Sequence, residues 1–287
     1  MSRPGGRLIT GQFVLVVAAG LAYFLALTML SPVIPRYVEG PLGGGSVAVG
    51  VGVGTFAVGA VLLRPYAGRI GDRIGRRVLV VGGALVVAVM TALFGLVESL
   101  AWLAGIRFIA GIGEAAFFVG AATMITDMAP PERRGEAVSY WSVAVYGGLA
   151  FGPVLGEAVL GEDRYGHAWA AAALLALLAA GLGMLTREVE RPRAHAGTST
   201  HLLHRAALGP GLVLFLGLVG LAGYWAFVPL YVDDLGLSGS GGIFMLYGVL
   251  VLAVRIFGAR LPDTLGSRRA GSAALALGAL GTAAMAA

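Results

Sequence analysis

The sequence contains no cysteine and no lysine, and charged residues make up only 12% of it. Without cysteine, the chain can form no disulfide, no thiolate metal site and no cysteine nucleophile. Hydrophobic residues make up 58% of the chain, and the mean hydropathy is +0.87. So few charged side chains cannot cover the surface of a water-soluble globule, so we expect lipid to be the solvent.

Long apolar runs recur along the chain. A transmembrane helix needs about 20 mostly apolar residues, and nine stretches meet this need: 12–34, 46–66, 78–97, 100–126, 136–160, 167–186, 209–232, 241–260 and 270–287. They do not alternate apolar and polar residues as barrel strands do. The 47 glycines suit the close helix packing found in membranes. The sequence therefore predicts an all-α, polytopic transmembrane helical bundle.

The charged residues divide between the two predicted membrane faces. Seventeen of the arginines, Arg64 among them, fall at the N-terminus or in loops of the same side, whereas only Arg36 and Arg164 fall on the other side. Positive residues accumulate in cytoplasmic loops, so we expect a multi-pass protein of the cytoplasmic membrane with its N-terminus inside the cell. This topology explains the sequence pI of 9.9 without a nucleic-acid partner.

The sequence also contains signs of an internal repeat. A polar stretch follows the sixth span, and segments 35–38 and 69–75 return as 229–232 and 260–266, at offsets of 194 and 191 residues. A six-plus-six arrangement predicts a first bundle at 1–187, a cytoplasmic linker at 188–208 and a partial second bundle at 209–287. A complete second half would need three more helices, so we interpret the sequence as truncated after the ninth.

Residues 68–77 carry the most specific motif. They read GRIGDRIGRR and resemble the loop 2–3 signature of the major facilitator superfamily. The resemblance implies a conformational switch, in which Asp72 engages a helix of the second half and Arg76 pairs with an acidic residue at the inner end of segment four, where Asp127 lies. The motif residues are Gly68, Gly71, Asp72, Arg73, Gly75, Arg76 and Arg77, and the weaker second-half copy includes Asp263 and Gly266.

From the residues alone, glycines favour a tight turn, Asp72 can accept from backbone donors at a helix N-terminus, and Arg76 can form bidentate pairs.

Segment five carries three glycines and a proline, which are Gly148, Gly152, Pro153 and Gly156. Their spacing of four places the glycines on one helix face, and a proline favours a kink. Together they resemble the glycine-proline motif of the superfamily's drug:proton antiporter branches, which implies export in exchange for protons. The final glycine of the family pattern is Glu157 in this chain. Ordinary packing of small residues is the alternative interpretation.

Segment four contains two charges, Arg107 and Glu114, and charges inside a membrane indicate function by default. They are seven residues apart, about 10 Å along a helix, which is too far for a direct pair. The segment from Arg107 resembles a family motif whose arginine is implied in proton transfer or helix bonding. A carboxylate in this position could exchange protons with solvent. Alternatively, Glu114 forms a structural bond across the bundle.

Several aromatic residues lie on segments that line the central cavity in the family: Tyr23, Phe24, Trp141, Tyr146, Tyr224 and Trp225. They could stack on a flat or cationic substrate, although helix packing or lipid contact is an equal alternative for each. His195, His201 and His204 lie in a polar loop without a further ligand, so we predict no metal site. We predict no cofactor either. No serine, histidine and acid set indicates an enzyme.

The function that the residues and the resemblance imply is secondary active transport. We expect proton-coupled efflux of a small organic molecule by alternating access, with the lipid bilayer and protons as further partners. The alternatives are an importer or facilitator of sugars or metabolites, and a transporter-like sensor that moves nothing. The sequence does not identify the substrate, the coupling ion or the oligomeric state.

Overall fold

The computed structural model describes residues 8–188, 205–237, 239–257 and 267–285, and every regular element in these ranges is a helix. Helices α1 (Gly11–Thr28) and α2 (Val33–Glu39) together form the first span, and α3 (Ser46–Ile74) and α4 (Arg76–Ala92) follow. A short 3₁₀ turn extends α4 to Leu96. The remaining helices are α5 (Leu100–Met128), α6 (Arg134–Leu160), α7 (Tyr165–Leu185), α8 (Arg205–Asp234), α9 (Gly241–Phe257) and α10 (Ser267–Met285).

Seven of these segments are long and apolar enough to cross a membrane, while two apolar stretches, Gly241–Val254 and Gly271–Ala284, are shorter. The predicted all-α polytopic bundle is confirmed. Two boundaries differ from the predictions. Helix α8 begins at Arg205 rather than at 209, and α3 continues to Ile74, so Arg64 lies within a helix and not in a loop.

We call helices α1 to α7 the first bundle, and within it α5 packs against both α3 and α4. Glycines bring these backbones together. A methyl group at Gly59 would collide with the Phe108 carbonyl, and one at Gly111 would collide with the Phe56 carbonyl. In lipid, where water expulsion drives no association, such close backbone contact supplies the packing energy.

The bundle has two faces. We define the arginine-rich face as the end that contains Gln12, Asp72, Arg76, Asp127 and Glu188, and the acidic face as the end that contains Arg36, Glu39, Glu157, Asp163 and Asp233. Helices α8 and α9 contact the first bundle through α2, α3 and α6. Among the described residues, charged side chains bond the first bundle to α8 at the acidic face, through Arg36 and Asp233.

Candidate functional site

The arginine-rich face holds the residues of the GRIGDRIGRR motif. Helix α3 continues through Gly68, Gly71 and Asp72, so only Gly75 makes the turn into α4. Gly75 has a φ of 103°, which glycine adopts without the steric cost of a side chain. The tight turn is therefore confined to one residue. Asp72 lies in the last turn of α3, and its predicted engagement of a helix start in the second half stays a prediction.

Arg76 lies between two carboxylates. Its guanidinium donates to Asp72 Oδ1 at 2.7 Å, and its Nε lies 3.5 Å from Asp127 Oδ2. The structure thus brings together the three charged residues that the resemblance named for the switch. The two carboxylates contact different nitrogens of Arg76, Asp72 through Nη2 and Asp127 through Nε. Arg73 is exposed, and Asp263 and Gly266 of the second-half copy lie outside the described residues.

Glu188, which the sequence did not single out, supplies the N-terminal cap of α4. Its two carboxylate oxygens accept the backbone N–H groups of Arg76 and Arg77 at 2.8 and 2.9 Å. A carboxylate suits this position because the first N–H groups of a helix have no intrahelical partner and carry partial positive charge. Arg77 also donates to the Met184 carbonyl at 2.5 Å. The end of the first bundle is therefore tied to the motif.

The interior of the first bundle contains two charges on α5, each bound to α3 rather than to the other. Arg107 is buried and donates to the carbonyls of Gly52 and Val53 at 3.0 and 3.3 Å, and its guanidinium lies over the Phe56 ring. Glu114 is 6% exposed and accepts from Arg64 at 3.0 Å.

Arg64, which the sequence interpretation placed in a loop, is the counter-ion of Glu114. Its side chain is 48% exposed, and its guanidinium lies 4.9 Å from the centre of the Phe118 ring. The residue was missed because the sequence analysis counted it among the arginines of the loops. Arg64 and Glu114 lie 50 residues apart in the chain, and only the packing of α3 on α5 brings them together.

The glycines of α6 face α1. Side chains at Gly148, Gly152 or Gly156 would collide with Phe24, Thr28 or Met29, respectively. Thr28 Oγ1 donates to the Gly148 carbonyl at 2.6 Å, and α6 continues through Pro153 without interruption. The spacing of four thus places these residues in the α1–α6 contact.

The acidic face carries a network that the sequence analysis did not predict. Arg36 on α2 donates to both carboxylate oxygens of Asp233 on α8 at 2.6 and 2.7 Å, and to Glu157 on α6 at 3.3 Å. Glu157 also accepts from the N-terminus of α9. The signal available in the sequence was the acidic residue in place of the family's final glycine.

The aromatic cavity candidates differ in their surroundings. Tyr23 stacks on Phe117 with ring centres 3.7 Å apart and has no exposed surface, so it packs the bundle and does not line a cavity. Trp141 is also buried, against Phe24 and Phe118. Tyr146 is partly buried. Tyr224 lines a cavity of about 630 Å³ between α8, α9 and α10, and Trp225 lines a small cavity of about 60 Å³ beside Arg107.

Among the residues that the structure describes, no group of three or more His, Cys, Asp or Glu side chains is arranged to hold a metal ion. The charged groups instead form three sets. One set lies at each face, and one lies in the interior. The arrangement therefore holds helices together through bonds between charged groups at both faces and in the interior.

Comparisons with known proteins agree with this architecture. The family model of the Major Facilitator Superfamily matches residues 16–287. Multidrug resistance protein 1 of Bacillus subtilis is 31% identical over 233 residues, which cover 78% of this chain and 59% of the relative. The chain thus spans less than two thirds of that protein's length. An uncharacterized MFS-type transporter of Salmonella typhimurium is 29% identical, and the match covers 71% of that protein's length.

Solved structures show the same fold. A bacterial homologue of the human lysosomal transporter Spinster, in an inward-facing and occupied conformation, matches with a TM-score of 0.70 at 22% identity. The match covers 89% of this chain and 60% of the other. The inward-facing, unoccupied conformation of that homologue matches with a TM-score of 0.68 at 20% identity.

Proposed function

The chain belongs to the Major Facilitator Superfamily, a family of membrane transporters and not of enzymes, and we propose that it exports a small organic molecule in exchange for protons. The proposed mechanism is alternating access, in which a central site opens to one membrane face at a time. The N-terminus lies in the cytoplasm in this proposal, because the arginine-rich face meets the positive-inside rule.

The observation that carries the proposal is the pair of Arg64 and Glu114 inside the first bundle. A buried carboxylate in a membrane protein is costly unless a cation or a proton neutralises it. Arg64 neutralises Glu114 here, but its side chain is about half exposed, so it can leave without crossing a packed core. Departure of Arg64 would let a proton take its place. Glu114 can therefore exchange one neutralising partner for another, which is the property that proton coupling needs.

The surroundings of this pair and the relatives support the proposed substrate class. The Arg64 guanidinium lies against the face of Phe118, and Phe118 packs on Trp141. Aromatic faces bind flat and cationic groups. The Bacillus relative is named for multidrug resistance, which supports a small organic molecule as the exported solute.

The contacts between the halves favour an inward-facing conformation for the structure. The network of Arg36, Glu157 and Asp233 joins the first bundle to α8 and α9 at the acidic face. In the proposed orientation this face is extracellular, so the network closes the outer side. The motif around Asp72, Arg76 and Asp127 lies at the opposite end and acts as the switch that engages the second half when the inner side closes.

Inverted membrane vesicles that contain the full-length protein test the proposal. With an acidic lumen, we expect the protein to move the dye ethidium into the vesicles and to release protons in return. Glu114→Gln should abolish ethidium-induced proton release while the protein remains inserted. Glu132→Gln, at an exposed position on the arginine-rich face, is the matched control and should behave as the parent. Dye movement without any dependence on the pH gradient would favour a facilitator and would contradict proton exchange.

A further inference from the structure

Tyr23 on α1 is buried in the first bundle with its hydroxyl group unbonded. The side chain has no exposed surface, and its oxygen has no hydrogen-bond partner among the described residues. A buried hydroxyl without a partner is costly, so its presence in a packed interior calls for an explanation. Phenylalanine would fill nearly the same space without this cost. The hydroxyl itself therefore indicates a role beyond packing.

The Tyr23 ring is held in the neighbourhood of Glu114. It stacks on Phe117 of α5 with ring centres 3.7 Å apart, and it packs perpendicular to Phe24. Phe117 follows Glu114 by three residues, so their side chains are neighbours on the surface of α5. The Tyr23 hydroxyl lies close enough to the Glu114 carboxylate for the two groups to interact electrostatically. Two aromatic contacts thus fix the hydroxyl near the buried charge.

Glu114 has room for a second hydrogen-bond donor. Both of its oxygens accept from the same nitrogen, Arg64 Nη2, at 3.0 and 3.3 Å. A carboxylate offers about four acceptor sites, and Glu114 is 6% exposed, so bulk solvent reaches little of it. An unbonded donor and an incompletely bonded acceptor therefore lie near each other in the interior.

Other polar side chains of the first bundle are already bound elsewhere. Arg107 donates to two backbone carbonyls of α3, and Thr28 donates to a backbone carbonyl of α6. In the described part of the chain, the other buried side-chain atom without a hydrogen bond is Arg76 Nε, which lies beside Asp127 at the arginine-rich face. Tyr23 is thus the unbonded donor that faces Glu114.

We propose that Tyr23 is the second partner of Glu114 and that its hydroxyl binds the carboxyl group when Arg64 moves away. Once Arg64 no longer holds it, the Glu114 side chain can rotate toward the hydroxyl. A phenol O–H donates to an ionised carboxylate, and its oxygen accepts from a protonated carboxyl, so Tyr23 can bind Glu114 in both forms. Tyr23 is therefore a positioning residue, which holds Glu114 between the departure of Arg64 and the arrival of a proton.

Melting temperatures of the full-length protein in detergent test the proposal without a substrate. Tyr23→Phe should leave the melting temperature of the parent unchanged or raise it by up to about 2 °C, because it removes an unbonded buried group. In the Arg64→Leu background, the same change should lower the melting temperature by about 3 °C, because Tyr23 is then the partner of Glu114. Adding Glu114→Leu to this background should abolish the loss.

Tyr37→Phe is the matched control, because the Tyr37 hydroxyl donates to the Val97 carbonyl at 2.8 Å, at the acidic face. It should lower the melting temperature equally with and without Arg64→Leu, since separate sites act additively. Arg64→Met, which keeps an unbranched side chain, provides a second background and should give the same results. If Tyr23→Phe prevents folding only in the Arg64 variants, and Tyr37→Phe does not, the expected loss has been observed in a stronger form.

Two results would overturn the proposal. The first is an effect of Tyr23→Phe that has the same sign and size in the parent and in the Arg64→Leu background, as a hydroxyl with a purely structural role would give. The second is a loss in the Arg64→Leu background that survives Glu114→Leu, because the hydroxyl would then bind another group.

The proposal rests on the proposed function, because it gives Glu114 a partner while Arg64 and a proton exchange places. In inverted vesicles, Tyr23→Phe should slow ethidium-induced proton release about fivefold, the factor that corresponds to one lost hydrogen bond. Equal rates in the parent and in Tyr23→Phe would contradict the role of Tyr23 in the exchange. If the parent moves no ethidium, proton-coupled export is refuted instead, and the melting temperatures still decide whether Tyr23 binds Glu114.

Discussion

Arg64 on α3 and Glu114 on α5 meet at 3.0 Å inside the first bundle, although 50 residues separate them in the chain. The carboxylate is buried, whereas the guanidinium keeps about half of its side-chain surface exposed. This asymmetry distinguishes the pair from a structural bond in which both members are enclosed, and it gives Arg64 a route away from Glu114.

The first prediction concerns the coupling between these two charges. Arg64→Leu should lower the free energy of unfolding by ~1–3 kcal/mol, because it leaves a buried carboxylate without its partner, while the exposure of half of the Arg64 side chain limits the strength of the lost pair. Adding Glu114→Leu should restore part of this loss, since the unpaired charge is then gone. Thermal unfolding of the purified variants in detergent measures both effects. Strictly additive losses would show that the two residues do not interact.

The second prediction concerns the contact between α1 and α6. Gly156→Ala should destabilise the protein by ~1–3 kcal/mol, because the new methyl group meets the backbone of Met29. Gly181→Ala on α7 is the matched control. Nothing lies within 4 Å of its added carbon, so it should be neutral or slightly stabilising, as alanine is the better helix former. Equal melting temperatures for the two variants would contradict the packing that the structure shows.

The third prediction concerns the cap of α4. Glu188→Ala should cost ~0.5–2 kcal/mol of local stability, because it removes the acceptor for the N–H groups of Arg76 and Arg77. Hydrogen exchange at these amides should accelerate, while exchange in the middle of α4 should change little. Glu132→Ala, at an exposed position on the same face, should alter neither rate. Unchanged protection at Arg76 in the Glu188 variant would exclude Glu188 as the cap.

The fourth prediction concerns the switch. Asp127→Asn removes one of the two carboxylates that hold Arg76. If this contact operates in transport, its loss should slow ethidium movement about fivefold, the factor that corresponds to ~1 kcal/mol. Glu136→Gln is the control, because Glu136 pairs with Arg133 at an exposed position on the same face. Equal transport rates in the two variants would remove Asp127 from the switch.

The sequence by itself determined the class of fold and the two faces of the bundle. Apolar runs of helix length, broken by polar turns, leave few alternatives to a helical membrane protein. The spacing of residues along a single helix also predicted that Gly148, Gly152 and Gly156 share a face, and that Arg107 and Glu114 lie too far apart to pair. These are local properties, since the period of one helix decides them.

Apart from Arg76 and Asp127, which the resemblance had named together, only the tertiary structure decided which distant charges meet. Arg64 with Glu114, Glu188 with the start of α4, and Glu157 with the start of α9 are pairs whose members lie 50, 112 and 83 residues apart. Hydropathy does not specify the rotation of one helix against another, and a shift of one residue turns a side chain by about 100° around the helix axis. The packing of one helix on another therefore determines which carboxylate finds which donor.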